Sequence, residues 1–554
     1  MTRQLFTPPT PGDTAADAPR PVSVVPTTAT VLPPAPARRW NTEPMTHLSD
    51  QERRLVQLFG QGPTQAPSHQ SVHRAFEEQA AAHPEAVAAE HRGDALTYRE
   101  LDRQANRLAT HLIALGVKPG DRVGLFVRRS LPMLVGLLAT LKAGAAYVPQ
   151  DAALTPRAQL EHVVHTAGIT VVLTQSAYEK RIPLPEGGVL IAVDQFTAHQ
   201  GRDADAGPPA PAIPSNPEHP CYVLFTSGTT GTPNGVAVTH GNVTNLLLTS
   251  PGDLGIRPGW RVGQILNIAF DMAAWEILAS LSHGATLLIR GEDIAETAAR
   301  VDVLIATPTV LGSLDPAACR RIRVVAVAGE PCPRPLADRW ARTCTFYNGC
   351  GPTETTIVNT MQRHDPSAVR LTIGRPTPNN TVYVLDENGR ACPPGQVGEM
   401  WAGGACVSAG YLGDPHLTET RYAPDPFLGG TRKMFRTRDL GRWTPDGQLE
   451  HLGRTDDQVK VRGFRVELDS VSAVLERIPG CERAVTLKLD ERTLVSFVSP
   501  LDVRPESARR AVAEALPYYC VPAVVHPLAE LPETNRGKVD KAALRRLLTQ
   551  GAAA

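Results

Sequence analysis

The feature that most limits this chain is an alternation of two periodicities between residues 97 and 174. Thr97-Tyr98-Arg99-Glu100 has the Thr-x-x-Glu form in which a hydroxyl and a carboxylate cap the free N–H groups at a helix start. Leu101, Leu108, Leu112 and Leu115 then recur on one helical face, and Gly116 supplies a stop. The run Val123–Val127, between Asp121 and Arg128, is short and apolar, as in a buried strand. Ser130 can cap a second helix over 131–143, ended by Gly144, and the cycle repeats with a helix over 157–166 and a strand over 170–174. A strand that is apolar on both faces needs a helix on each. The pattern therefore predicts parallel sheets covered by helices.

A chain of 554 residues exceeds what one core usually serves, about 250–300 residues, so more than one domain is expected. Residues 1–44 are rich in Pro, Thr and Ala, with too few apolar groups to offset the entropy of ordering, and are expected to form a disordered tail. Met1–Pro21 is polar and lacks the apolar stretch of a secretory signal. Gly201–His219 is rich in Pro and Gly, without periodicity, and reads as a loop. After Gly453 the sequence becomes more charged, and apolar patterns at 459–461, 471–478, 484–489 and 494–498 predict a smaller terminal domain.

Lys+Arg and Asp+Glu both number 56, so no global basic field attracts nucleic acid or an anionic membrane. No apolar run approaches the ~20 residues that span a bilayer. Nine scattered cysteines without a CxxC pair argue against a disulfide framework or a zinc site, and for a reducing, cytoplasmic location.

One segment carries chemistry: Thr226-Ser227-Gly228-Thr229-Thr230-Gly231-Thr232-Pro233-Asn234-Gly235, directly after the apolar strand Tyr222–Phe225. Glycines let backbone N–H groups approach an anion closely, and the hydroxyls add donors for phosphate oxygens. No G-K-[ST] closes the segment, so it is not a Walker loop. A Gly/Thr run alone is most often a flexible surface loop. Here the order of residues decides otherwise.

The segment resembles the phosphate loop of the adenylate-forming (ANL) superfamily, which includes acyl-CoA synthetases, nonribosomal peptide synthetase adenylation domains and luciferases. Further blocks match the adenylation-domain branch in order: Leu96–Leu101, Leu141–Asp151, Phe270–Ile277, Asn348–Glu354, Gly398–Leu412, Phe435–Leu440, Gly453–Leu468, Leu516–Pro522 and Asn535–Asp540. The resemblance covers roughly residues 48–545. It implies an α/β fold: a large N-terminal domain (45–455) of helix-covered, mostly parallel sheets with a small barrel-like part, and a small, mobile α+β C-terminal lid (456–554) that turns about a hinge at Asp456.

The implied activity is ATP- and Mg2+-dependent conversion of an amino acid to its aminoacyl-adenylate, then transfer to the phosphopantetheine thiol of a carrier protein in nonribosomal peptide, including antibiotic, biosynthesis. Acid and triphosphate are both anions, so such an enzyme must supply positive charge and alignment. By resemblance, Lys538 bridges substrate carboxylate and reacting phosphate, Glu354 stands on the magnesium side and Thr353 contacts phosphate. Thr226, Ser227, Gly228, Thr229, Thr230, Gly231, Asn348 and Gly351 belong to the nucleotide site, where Asp439 takes the ribose hydroxyls and Arg454 lies near the same sugar. Alone, Asp439 or Arg454 would read as a surface ion-pair partner, and Lys538 as a solvated tail lysine.

Asp271 sets the expected substrate class. In amino-acid-activating members a carboxylate here pairs with the α-ammonium, and an Asp between Phe270, Met272 and Trp275 needs a cation. The plain alternative is a helix N-cap. The other pocket positions are Met272, Trp275, Ile305, Ala326, Ala328, Gly349, Ile357 and Val358. None is charged, which predicts a hydrophobic α-amino acid, aliphatic or aromatic.

Departures from the family pattern are Asn234 for a lysine, Cys350 for a tyrosine beside adenine, Arg438 for a glycine, and Asp469-Ser470-Val471-Ser472 for Gly-Glu-Ile-Glu. Lys460 and Gly463 are retained. Because only Lys541–Ala554 follow Asp540, the carrier is expected in trans; a monomer is expected, and an MbtH-like partner stays open. The rivals are an acyl- or aryl-CoA ligase of the same superfamily and a catalytically impaired scaffold.

Overall fold

The computed structural model describes residues 44–198, 208–228, 232–532 and 539–551. The expected disordered tail (but for Pro44), the start of the Gly201–His219 loop, Thr229, Thr230, Gly231 and Lys538 lie outside the described residues.

The caps form as the sequence predicts. Thr97 N–H donates to Glu100 at 2.8 Å while Glu100 N–H donates to the Thr97 hydroxyl at 3.2 Å, opening the helix Tyr98–Ala114. Ser130 accepts from Met133 N–H at 3.2 Å and starts the helix Leu131–Lys142. Leu101, Leu108 and Leu112 are fully buried, whereas Leu115 is 40% exposed because the helix has already ended at Ala114. Ser49 and Glu52 make a further capping box that the sequence reading did not single out.

Two large sheets organise the described residues between 87 and 376, with Gly410–Tyr411 added at the edge of one. One has seven strands, with Pro220–Thr226, Ala146–Asp151, Arg122–Val127, Val171–Thr174 and Val189–Ala192 joined in parallel, and Asn234–Thr239 and Gly410–Tyr411 added antiparallel at one edge. The other has nine strands, parallel through Val87–His91, Thr286–Ile289, Arg261–Gln264, Val303–Ala306, Val324–Val327 and Thr345–Cys350, and antiparallel at both ends.

A single buried cluster joins the two sheets through the helices Tyr98–Ala114, Leu131–Lys142 and Asp271–Ser282. Each fully buried large apolar side chain in it stabilises the fold by about 1.5–3 kcal/mol. The latter two helices are buried nearly all round because protein covers both sides of them, which explains their lack of a polar face. Among the described residues no helix is long and apolar enough to cross a membrane.

A five-stranded antiparallel sheet follows, built on Asn380–Leu385, Gly398–Gly404, Lys433–Trp443, Tyr422–Pro424 and Leu449–Arg454. Beyond it, the hairpin Gln458–Val461/Phe464–Glu467 and a three-stranded sheet, Arg483–Lys488, Leu494–Ser499 and Val524–Pro527, pair with no earlier strand and have apolar clusters of their own. The mixed α/β architecture agrees with the fold class expected.

Candidate functional site

Several of the described candidate residues lie where strand ends meet helix starts, the usual ligand crevice of parallel sheets. Thr226 ends its strand, and Ser227 and Gly228 begin the loop. Ile305 and Ala326 pair across neighbouring strands, and Gly349 lies near the end of the next, Thr345–Cys350. Met272, Trp275, Ile305, Ala326, Ala328, Ile357 and Val358 share one apolar cluster. Trp275 is fixed by donating its indole N–H to Gly252 carbonyl oxygen at 2.7 Å.

The turn that carries Ile357 is held in unusual backbone. Thr356 and Ile357 have φ of 56° and 71°, costly for β-branched residues. A hydrogen bond from the Thr356 hydroxyl to Cys406 carbonyl oxygen at 2.7 Å helps hold the turn. Just before it, Gly351 runs so close to the chain that a Cβ there would lie 2.7 Å from Val358 Cα. The segment Asn348–Val358 is thus shaped by strain and close packing.

Asp271 is not an N-cap. It is the first residue of the helix Asp271–Ser282, Phe270 is the cap, and no side chain caps the start. Its carboxylate accepts the hydroxyl of Thr353, the threonine expected against phosphate, at 2.7 Å. Burial raises the Asp271 pKa, against the Thr353 hydrogen bond and the more distant charge of Lys460. The helix itself is anchored by Glu276, whose carboxylate accepts Ile265 N–H at 2.9 Å and whose pKa burial pushes up to about 8.

Glu354 is completely buried. One oxygen accepts the Tyr411 hydroxyl at 2.6 Å and the other accepts Arg465 Nη1 at 3.0 Å. Burial works to raise its pKa, but the Arg465 charge, with Arg421 and the Tyr411 bond, holds it down to about 2. Asp439 behaves alike. Burial works upward, yet Arg454, bonded at 2.6 Å, and His451, 3.4 Å away, hold it at about 2. Arg454 also grips Asp456 at 2.8 and 3.0 Å, and Arg438 adds a bond to Asp456 at 3.3 Å. Asn348 donates its amide to Thr372 carbonyl oxygen at 2.7 Å.

Cys350 lines one small depression with Thr437, Asp439, Met400 and Trp401. Burial pushes the Cys350 thiol up to about 12, so it stays protonated near neutrality. Asn234 turns its carboxamide toward Gly228, where a Cβ would lie 2.8 Å away. Ser470 and Ser472 are buried and donate to Glu467 and Leu468 carbonyl oxygens within their own helix region.

The hairpin 458–467 closes over this site. Phe464 stacks on Tyr519 at 4.2 Å and meets Phe270 at 4.9 Å. Gly463, at φ 84°, leaves only 3.0 Å between a notional Cβ and the Thr307 methyl carbon. Arg465 and Tyr411 are the partners that sequence reasoning missed. Both lie inside matched blocks, but their meeting at Glu354 spans 111 and 57 residues of chain.

Comparison with known proteins fits this geometry. Residues 76–412 match the model of the AMP-binding enzyme family. The chain is 46% identical over 91% of its length to Adenylate-forming reductase 06235 of Coprinopsis cinerea, covering 49% of that protein. It is 37% identical over 90% of its length to phosphinothricin tripeptide synthetase PhsC of Streptomyces viridochromogenes, covering 47% of that protein. The chain therefore spans about half the length of these curated relatives. Among solved structures, holo-PA1221, an NRPS protein containing adenylation and PCP domains, superposes with a TM-score of 0.76 at 27% identity, over 89% of this chain and 86% of that one. With the strand-end crevice, the buried carboxylates and these matches together, the chain belongs to the AMP-binding enzyme family of adenylate-forming proteins.

Proposed function

We propose that the chain uses ATP to activate a hydrophobic α-amino acid as its aminoacyl-adenylate and passes it to the phosphopantetheine thiol of a carrier protein. One observation carries the substrate class. Asp271 is a desolvated carboxylate beside apolar core residues, and among the described residues no cation lies within ion-pair distance of it, Lys460 acting only from farther away. A buried carboxylate left so is costly, and a substrate ammonium would complete it.

The rest of the site suits two anions that must be brought together. The Thr226 and Ser227 hydroxyls and nearby backbone amides would receive phosphate oxygens, and Asp439 would accept from the ribose. Lys538 is proposed to span carboxylate and α-phosphate, with Asp456 as the pivot of the small unit. Glu354 would offer buried hard oxygens of the kind magnesium takes together with substrate phosphates, one of them bonded by Arg465 at 3.0 Å. Magnesium, when bound, supplies charge neutralisation of the phosphates. The carboxylate of the acid attacks the α-phosphorus and pyrophosphate leaves; the carrier thiol then displaces AMP from the acyl carbon.

Identity to an adenylate-forming reductase favours a second reading of the later step, in which the carrier-bound acyl group is reduced and not joined to an amine. Both readings share the adenylation. The test is exchange of labelled pyrophosphate into ATP, screened over the common amino acids. Exchange with apolar amino acids is expected. AMP release that depends on coenzyme A and needs no amino acid would establish a CoA ligase instead, and absence of exchange with every acid would leave a scaffold. For Lys538→Ala, loss of exchange with retained transfer from pre-made adenylate is expected; exchange indifferent to the change would remove its role.

A further inference from the structure

Tyr222 carries a polar atom that the fold leaves alone. It lies on the strand Pro220–Thr226, which leads into the phosphate loop, and is completely buried. Its ring meets that of Tyr147 at 5.6 Å, where the two residues pair across neighbouring strands. Among the described residues its hydroxyl has no hydrogen-bond partner. A phenylalanine would fill the same space without the cost of burying an unpaired hydroxyl, so the oxygen calls for a partner from outside the chain.

The surroundings of this hydroxyl narrow the choice. Tyr222 belongs to the buried cluster that holds Met272 and Trp275 of the helix Asp271–Ser282. Burial first, and then the charge of Asp271, raise its pKa, so the phenol stays protonated. Asp271 is itself desolvated, holds the Thr353 hydroxyl at 2.7 Å and takes the Lys460 charge only from farther away. Tyr222 and Asp271 thus need one visitor with at least two donors and, for the carboxylate, a positive charge. An ammonium group brings three N–H donors and the charge together; a des-amino acid brings neither.

We infer that the Tyr222 hydroxyl is a second acceptor for the substrate α-ammonium, beside Asp271, and so a specificity-determining residue for amino over des-amino acids. This rests on the proposed pairing of Asp271 with that ammonium. One N–H goes to the carboxylate and another to the phenol oxygen, which orients the α-carbon as well as neutralising the charge.

Tyr222→Phe removes only the oxygen. The readout is ATP–pyrophosphate exchange by the full chain with one apolar amino acid and its des-amino twin. The preference for the amino acid in kcat/KM is expected to fall about tenfold, mostly through KM, as for a contact made equally in ground and transition states. In the Asp271→Ala background the same change lowers the remaining preference by less than about twofold, because the two residues act on one group. Without substrate, Tyr222→Phe should melt at the parent's temperature or above it, since a buried unpaired hydroxyl is gone. Should Tyr222→Phe fail to fold, Tyr222→Leu is read by the same ratio.

A preference unchanged by Tyr222→Phe, or an equal loss with both acids, overturns the inference and leaves the Asp271 pairing standing. A melting temperature several degrees lower, which would mean a partner within the fold, overturns it too. A parent that exchanges equally with both acids, or with neither, removes the ammonium reading and this inference with it.

Discussion

A carboxylate at the start of a helix, walled by apolar groups, is comfortable as an anion only when something positive faces it. Asp271 has the Thr353 hydroxyl at 2.7 Å and an upward-shifted pKa, so a substrate ammonium completes what the fold leaves open. Asp271→Ala is expected to lower the preference for an amino acid over its des-amino analogue by on the order of 100-fold in kcat/KM, about 3 kcal/mol. Unchanged preference removes the ammonium pairing.

Glu354 and Asp439 titrate the other way. Burial opposes their ionisation, but Arg465 and Arg454 outweigh it and hold both at about 2. Because these values lie below those of an unfolded chain, about 3.9–4.3, their contribution is complete above about pH 4.5 and drains away as pH falls toward 2. Denaturant unfolding at pH 6 and pH 3 should show the loss. Asp439→Asn, which cannot titrate there, should lose about 1 kcal/mol less between these pH values. An equal loss would mean that Asp439 is not held ionised.

Among elements, the strand Lys433–Trp443 carries the most instructive irregularity. Arg438 sits at φ 63°, a region that costs a non-glycine residue about 1 kcal/mol, and its guanidinium reaches Asp456 at 3.3 Å. Asp456 is simultaneously held by Arg454. Arg438→Gly removes strain and one ion pair together, so stability should change by no more than about 1 kcal/mol. Amide exchange across 454–457 should rise several-fold, read by mass spectrometry. Exchange that stays put would show that Arg438 does not restrain the link between the units.

The same scale shows what sequence can carry. The Thr97 and Ser130 caps, the strand Arg122–Val127 and the helix of Leu101, Leu108 and Leu112 depend on neighbours within a few residues, so pattern alone places them. Asp271 shows the opposite case. Its place one residue inside the helix, not at the cap, is one that local sequence leaves open between neighbouring positions, and the cap residue Phe270 packs against Phe464 and Tyr519.

On the scale of the whole molecule, the site is assembled from pieces far apart in the chain, and its partnerships were correspondingly hard to read. Met272, Trp275, Ile305, Ala326, Ala328, Ile357 and Val358, proposed for the substrate pocket on their matched blocks, lie in one large apolar cluster. The bond from Arg465 to Glu354, that from Tyr411 to the same carboxylate, and that from Thr353 to Asp271 were not legible. Each depends on how sheets and hairpin close upon one another, which no local pattern records. Charge complementarity was the only available hint, and an unpaired Arg in a long sequence has many possible partners.

The account turns on adenylation of a substrate that bears an ammonium. The most direct measurement is ATP–pyrophosphate exchange with one apolar amino acid and its des-amino twin, run side by side on the parent chain and on Asp271→Ala. The account predicts strong exchange for the parent with the amino acid, little with the twin, and a difference that largely disappears in the variant. Equal exchange with both acids in the parent would contradict it.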